Sequence, residues 1–84
     1  MQLHRDAVGN VIRKLRKNRG MTQELLSGFA GIARTHLAMI ENGTKQPNLE
    51  TLWRIANALE IPPSTLIAEI EQECLLICEN SHPH

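Results

Sequence analysis

The sequence predicts an all-α protein built from five short helices in one domain. Aromatic residues are nearly absent, with one Trp, one Phe and no Tyr in 84 residues. Runs of β-branched residues are missing too, which disfavours strands. Against this background, five stretches repeat apolar residues at helical spacing, each bounded by a capping residue, a glycine or a proline. A chain of 84 residues has room for a single core, small enough for its stability to lean on a partner.

The first helix is expected over residues 6–18. Val8, Val11, Ile12 and Leu15 form its apolar stripe, Asp6 supplies an N-cap and Gly20 a stop. Arg13, Lys14 and Lys17 fall on its outer face. The second helix spans about 22–29: Thr22 caps it, and Gln23 and Glu24 suit a first turn whose unpaired N–H groups favour acceptors and negative charge. Ser27 and Gly28 weaken it, since a mid-helix glycine costs roughly 1 kcal/mol relative to alanine. Packing rather than propensity must hold this element.

Gly31 turns the chain into a third helix, about 33–41, which Gly43 ends. Ile32, Leu37 and Ile40 recur on one side of this stretch, leaving Arg34, Thr35, Ala38, Met39 and Asn42 on the other. After the loop "TKQP", Asn48 caps a fourth helix within "NLETLWRIANALE", with Leu49, Leu52, Ile55, Ala56 and Leu59 on one stripe. The "IPPS" segment breaks it. Ser64 then caps a fifth helix, about 64–79, apolar at Leu66, Ile67, Ile70, Cys74, Leu75, Ile77 and Cys78. Residues 1–61 are read as the domain core, 62–80 as a C-terminal helix for assembly, and 81–84 as a disordered tail.

Formal charge sums to zero, but its distribution is uneven. Residues 1–45 carry eight Lys/Arg against three Asp/Glu, and residues 46–84 carry one against six, so the halves stand at +5 and −5. Such a split suits a first half that faces a polyanion, or reflects chance asymmetry on a solvated surface. No apolar run approaches the ~20 residues that span a bilayer, and "MQLHRDAVGN" lacks the apolar region of a secretory signal. Two cysteines close together, Cys74 and Cys78, do not make a disulfide framework. The expectation is a cytoplasmic protein with reduced thiols.

Two short helices joined by a tight glycine-containing turn, the second amphipathic, describe a helix-turn-helix. Leu26, Ile32, Leu37 and Ile40 fall where such a unit buries apolar side chains, and Ser27 and Ala30 where two crossed helices come closest. Across residues 12–61 the motifs "GMTQ", "AGI", "IENG", "PNLETL" and "IANAL" stand in a linked series. In this the chain resembles the lambda-repressor/Cro-like helix-turn-helix proteins, the XRE family. In length and layout it is most similar to the small dimeric controller proteins of restriction–modification systems, and phage-type repressors are also similar.

The resemblance implies a five-helix, lambda-repressor-like domain that binds double-stranded DNA and regulates transcription. Its third helix would enter the major groove, where base edges carry a unique donor and acceptor pattern. Arg34, Thr35 and Met39 match base-facing positions, with Arg34 suited to a bidentate contact with guanine O6 and N7, and Gln23 matches the family's phosphate-and-base clamp. Asn42, Thr44, Lys45 and Lys17 are assigned to the DNA backbone. Arg16 and Glu41 match an internal ion pair. The sequence departs from the family at Ala33, where a capping Ser is common, at His36, where Tyr is frequent, and at Ala38 and Met39, where polar readers are usual. Arg34, thymine-methyl contacts and DNA bending or shape must then carry the readout.

The wide apolar stripe of the fifth helix predicts a C2 homodimer on a pseudo-palindromic operator, with Leu66, Ile67, Ile70 and Trp53 at or near the seam. Phe29 and Trp53 fall at the margins of their stripes and are candidate partner contacts. Cys74, Cys78, His82 and His84 have a loose metal-like spacing, but no element fixes the two histidines, and no metal, cofactor, small-molecule ligand or membrane is expected. No nucleophile has a base at an arguable spacing, so no enzyme is expected. Two alternatives stay open: an antitoxin that represses its own operon, and a protein-interaction module that keeps the fold without binding DNA.

Overall fold

The computed structural model describes the backbone of residues 1–80 and side chains as far as Cys78. Five helices follow one another: α1 (Arg5–Asn18), α2 (Gln23–Ala30), α3 (Arg34–Glu41), α4 (Leu49–Ala58) and α5 (Pro63–Asn80). No strand occurs among the described residues, and no helix there is long and apolar enough to cross a membrane. The 81–84 tail lies outside the described residues.

Local chemistry sets most of the boundaries. The Thr22 hydroxyl accepts from the Leu25 N–H at 3.0 Å, and Asn48 Oδ1 from the Thr51 N–H at 2.8 Å, so α2 and α4 open on side-chain caps. Gly31 ends α2 with a left-handed φ of 72°, which lets the Ile32 N–H reach back to the Ser27 carbonyl at 3.0 Å.

Two expected caps are not used. Helix α1 starts one residue before Asp6, with His4 at the N-cap and no side-chain cap bond, and Asp6 lies in the first turn. Ser64 does not cap α5 either. The helix starts at Pro63, and the Pro62 carbonyl accepts from the Thr65 and Leu66 N–H groups. Proline is pre-set for that first position and has no N–H to leave unpaired.

The helices close into a ring: α1 packs on α3 and α5, α2 on α3 and α4, and α4 on α5. Inside it lies one core, with Val8 and Ile12 from α1, Leu26 from α2, Leu37 and Ile40 from α3, and Ile55 and Leu59 from α4. Helix α5 completes it with Leu66, Ile70 and Cys74. Leu66 and Ile70 were expected at a seam between two copies. They are instead 0% and 4% exposed within one chain, because α1 and α4 cover that face of α5. Leu49, expected on the inner stripe of α4, is 67% exposed.

Helices α1 and α3 approach each other closely at Gly9, within α1. A Cβ there would stand 2.3 Å from the Glu41 carbonyl oxygen and 2.6 Å from that of Ile40, so only glycine lets α1 rest on the end of α3. Gly28, inside α2, has no atom within 4 Å of the same position. Thermal or urea denaturation should therefore separate the two sites. Gly9→Ala should destabilise by about 1–3 kcal/mol or more through overpacking, and Gly28→Ala should stabilise by roughly 0.5–1 kcal/mol by restricting the unfolded chain.

Candidate nucleic-acid interface

Helix α3 is amphipathic, and its two sides do different work. Leu37 and Ile40 are wholly buried and Glu41 almost so, while Arg34, Thr35 and Met39 are exposed and Ala38 and His36 are half-buried. The N-cap is Ala33, which makes no side-chain cap bond. The first-turn N–H groups of α3 are thus left without a side-chain acceptor from the cap position.

The helix is held from behind at its C-terminal end. Arg16 Nε donates to Glu41 Oε2 at 2.7 Å and Arg16 Nη2 to Glu41 Oε1 at 3.0 Å, a bidentate pair in which the Glu41 side chain has no solvent exposure. Arg16 Nη1 also donates to the Met21 carbonyl at 2.8 Å, so one guanidinium ties together α1, the α1–α2 turn and α3. The hydrogen bond to Glu41 raises the Arg16 pKa, desolvation opposes this, and the carboxylate charge adds to the rise. A raised cationic pKa gives stability that is complete below the unfolded value and lost only as pH climbs through the folded one. For arginine that window lies in strong alkali, so the clamp is constant at ordinary pH.

Arg13 joins this cluster. Its Nη2 donates to the Glu41 carbonyl oxygen at 2.9 Å and its Nε lies 3.7 Å from Oε1. The outer basic face expected of Arg13, Lys14 and Lys17 is therefore divided. Lys14 and Lys17 are exposed, while Arg13 caps the end of α3. The spacing carried a signal for this: Gly9, Arg13 and Arg16 lie four and three residues apart, on one face of α1. Gln23, expected at the DNA, is half-buried, and its Nε2 donates to Glu41 Oε1 at 3.1 Å.

The loop after α3 continues the exposed face. Asn42 Oδ1 accepts from the Thr44 N–H at 2.9 Å, and the Thr44 and Lys45 N–H groups also point to the Met39 carbonyl, at 2.9 and 3.2 Å. With its oxygen engaged, Asn42 keeps its amide N–H groups available as donors. Thr44 and Lys45 are exposed. Trp53 and Ile67 stand elsewhere, 52% and 44% exposed, beside an apolar depression between α4 and α5. No group of three or more His, Cys, Asp or Glu suited to a metal occurs among the described residues, and His82 and His84 lie outside them.

A family model for the helix-turn-helix domain HTH_3 matches residues 12–66. The chain belongs to the HTH_3 helix-turn-helix family. This helix-turn-helix protein is 36% identical over 67 residues to the transcriptional regulator ClgR of Mycobacterium tuberculosis, a match that covers 80% of this chain and 60% of that one. It spans 34% of the length of another curated regulator of the family. The restriction-modification controller protein C.AhdI from Aeromonas hydrophila superposes with a TM-score of 0.72 at 31% identity, over 74% of this chain and 94% of that one. The controller protein C.Esp1396I, solved as a tetramer with its natural 35 base-pair operator, superposes with a TM-score of 0.79 at 28% identity, over 89% of this chain and 99% of that one.

In this helix-turn-helix protein the geometry makes Arg16 an internal clamp. Removing one partner of such a buried pair leaves the other uncompensated, at a cost of about 3–5 kcal/mol. Arg13 and Gln23 remain on Glu41, which sets the expectation for Arg16→Ala at the lower end. For a domain of this size about 3 kcal/mol corresponds to a fall in Tm of roughly 12 °C or more, read by circular dichroism. An unchanged Tm with weakened DNA binding would make Arg16 a phosphate contact instead.

Proposed function

We propose that the chain is a sequence-specific DNA-binding transcriptional regulator, working as a homodimer with α3 in the major groove of each half-site. One observation carries the reading: Arg34, Thr35, Met39, Asn42, Thr44 and Lys45 are exposed on α3 and its following loop, while Leu37, Ile40 and Glu41 pin the same helix to the domain. A reading helix needs this combination of an open face and a rigid back, since base discrimination depends on side chains held in register. C.Esp1396I, a structural relative, was solved with its operator, which supports DNA binding as the work of this fold.

Roles follow from side-chain chemistry. Arg34 offers the forked donors that match guanine O6 and N7, and Thr35 and Met39 offer methyl groups to thymine. Asn42, Thr44, Lys45 and Lys17 give donors or charge to phosphates, which set position without reading sequence. The work is binding and not catalysis, and its place is the cytoplasm, with the DNA.

The dimer seam is assigned to the edge between α4 and α5. Leu49, Trp53 and Ile67 are exposed there, and Leu52, Pro63 and Ser64 complete the depression. Large apolar side chains that one chain leaves open around a shallow hollow suit a self-complementary C2 contact. Leu66 and Ile70 support that edge from inside the core.

Fluorescence anisotropy over a salt series, with duplexes selected from a random pool, tests the DNA reading. Arg34→Ala should cost about 1–3 kcal/mol and relax preference at one base pair, whereas Lys45→Ala should weaken all duplexes similarly and lower the salt slope by about one. Absence of salt-dependent binding to any duplex would favour a protein-interaction module. Light scattering tests the assembly: the wild type should be a dimer at micromolar concentration, and Trp53→Ala should cost about 2 kcal/mol or more, roughly 30-fold in the dimer dissociation constant. A wild-type monomer would sink the dimer.

A further inference from the structure

Gln23 is the first residue of α2, and its side chain reaches the buried carboxylate that anchors α3. Glu41 Oε2 is taken by Arg16 Nε, while Oε1 is shared by Arg16 Nη2 at 3.0 Å and Gln23 Nε2 at 3.1 Å. An ionised carboxylate only accepts hydrogen bonds. The Gln23 amide therefore cannot turn over, because that would set its own oxygen against Glu41. What remains of the amide is one N–H and Oε1, and neither makes a side-chain hydrogen bond among the described residues.

That remainder decides what the side chain can recognise. Phosphate oxygens only accept, so a free glutamine meeting a phosphate turns its NH₂ outward. Here the nitrogen is drawn inward to Glu41, which leaves a single N–H for a phosphate, beside an Oε1 that repels it. A carbonyl oxygen beside an N–H forms an acceptor–donor edge, the complement of the N6–H donor and N7 acceptor of adenine in the major groove. Arg34 and Thr35 are exposed on the neighbouring α3, so guanine and thymine readers stand on the helix that packs against α2.

We infer that Glu41 is a positioning residue for base recognition: it holds the N–H of Gln23 that lies anti to the oxygen, turns the acceptor–donor edge to the groove, and commits Gln23 to an adenine. The inference rests on the DNA-binding reading above and adds a recognised base and a residue that acts through another. Glu41 then links two properties in one carboxylate, the seating of α3 and the direction of a reader on α2.

The test uses the full chain and a duplex that the wild type selects from random DNA, with each A·T pair replaced in turn. Gln23→Ala should lose about tenfold to a hundredfold in discrimination at one A·T pair. Glu41→Gln, measured at a temperature where it is folded, should lose discrimination at the same pair and keep the guanine preference set by Arg34. Adding Gln23→Ala to Glu41→Gln should cost nothing further there. Retained discrimination in Glu41→Gln, additive losses, or a uniform weakening by Gln23→Ala across all duplexes would each overturn the inference. Should Glu41→Gln not fold, the wild type still decides. NMR of the free protein should show the two Gln23 side-chain amide protons well separated, one shifted downfield, in contrast to exposed Gln2. An unshifted pair overturns the inference. A wild type that selects no duplex removes the DNA-binding reading itself, a result distinct from binding with an idle Glu41.

Discussion

The structure depends on one buried anion. The Glu41 carboxylate lies at the end of α3, shielded from solvent, and accepts hydrogen bonds from Arg16 and Gln23, with the Arg13 Nε 3.7 Å away. Removing two charges from water costs several kcal/mol per ion, which their attraction offsets only when geometry is good and the remaining lone pairs are filled. The guanidinium fork matches the carboxylate, and Gln23 supplies a third hydrogen bond to it. The value of the pair is directional. Its two parallel hydrogen bonds favour one position of α3 relative to α1.

The ring of helices around that anion explains why so small a core suffices. Each helix packs mainly on two others, and buried side chains from all five meet in one cluster. Small residues make the close approaches possible, with Gly9 against the end of α3 and Ser27 and Ala30 on the inner side of α2. Helix α5 is part of this core and not an appendage, since Leu66, Ile70 and Cys74 face inward. Surface ion pairs add little by comparison: Arg19–Glu60 and Arg54–Glu50 are exposed, and such pairs contribute about 0–1 kcal/mol.

Function on this scaffold is a matter of faces. The side of α3 that packs is apolar and anchored. The side that remains carries one arginine, one threonine and one methionine, followed by a loop rich in donors. With few polar groups on the exposed side of α3, the proposed reading gives weight to a reader on α2 and to the shape of the DNA. The exposed apolar edge, Leu49 and Trp53 of α4 with Ile67 of α5, belongs to other helices than α3, so the proposed seam and the proposed reading face draw on different side chains.

The five helices, the caps at Thr22 and Asn48 and the turn at Gly31 were legible in the sequence, because each depends on neighbours within a few residues. The helix-turn-helix was legible for the same reason, and the linked motifs reinforced it. Beyond the shared face of Gly9, Arg13 and Arg16 on α1, contacts between distant segments were not legible from spacing. The period of α5 marks Leu66, Ile67 and Ile70 alike as apolar, and only packing against α1 and α4 decides that Leu66 and Ile70 go inside while Ile67 stays out. Charge likewise marks Arg13 and Lys14 alike, yet Arg13 lies on the face turned to α3 and caps its last carbonyl. By itself, the sequence determined the helices, their order and the side chains on the outer face of α3. Tertiary structure decided which apolar residues remain for a partner and which way Gln23 points, because both depend on atoms brought together from separate parts of the chain.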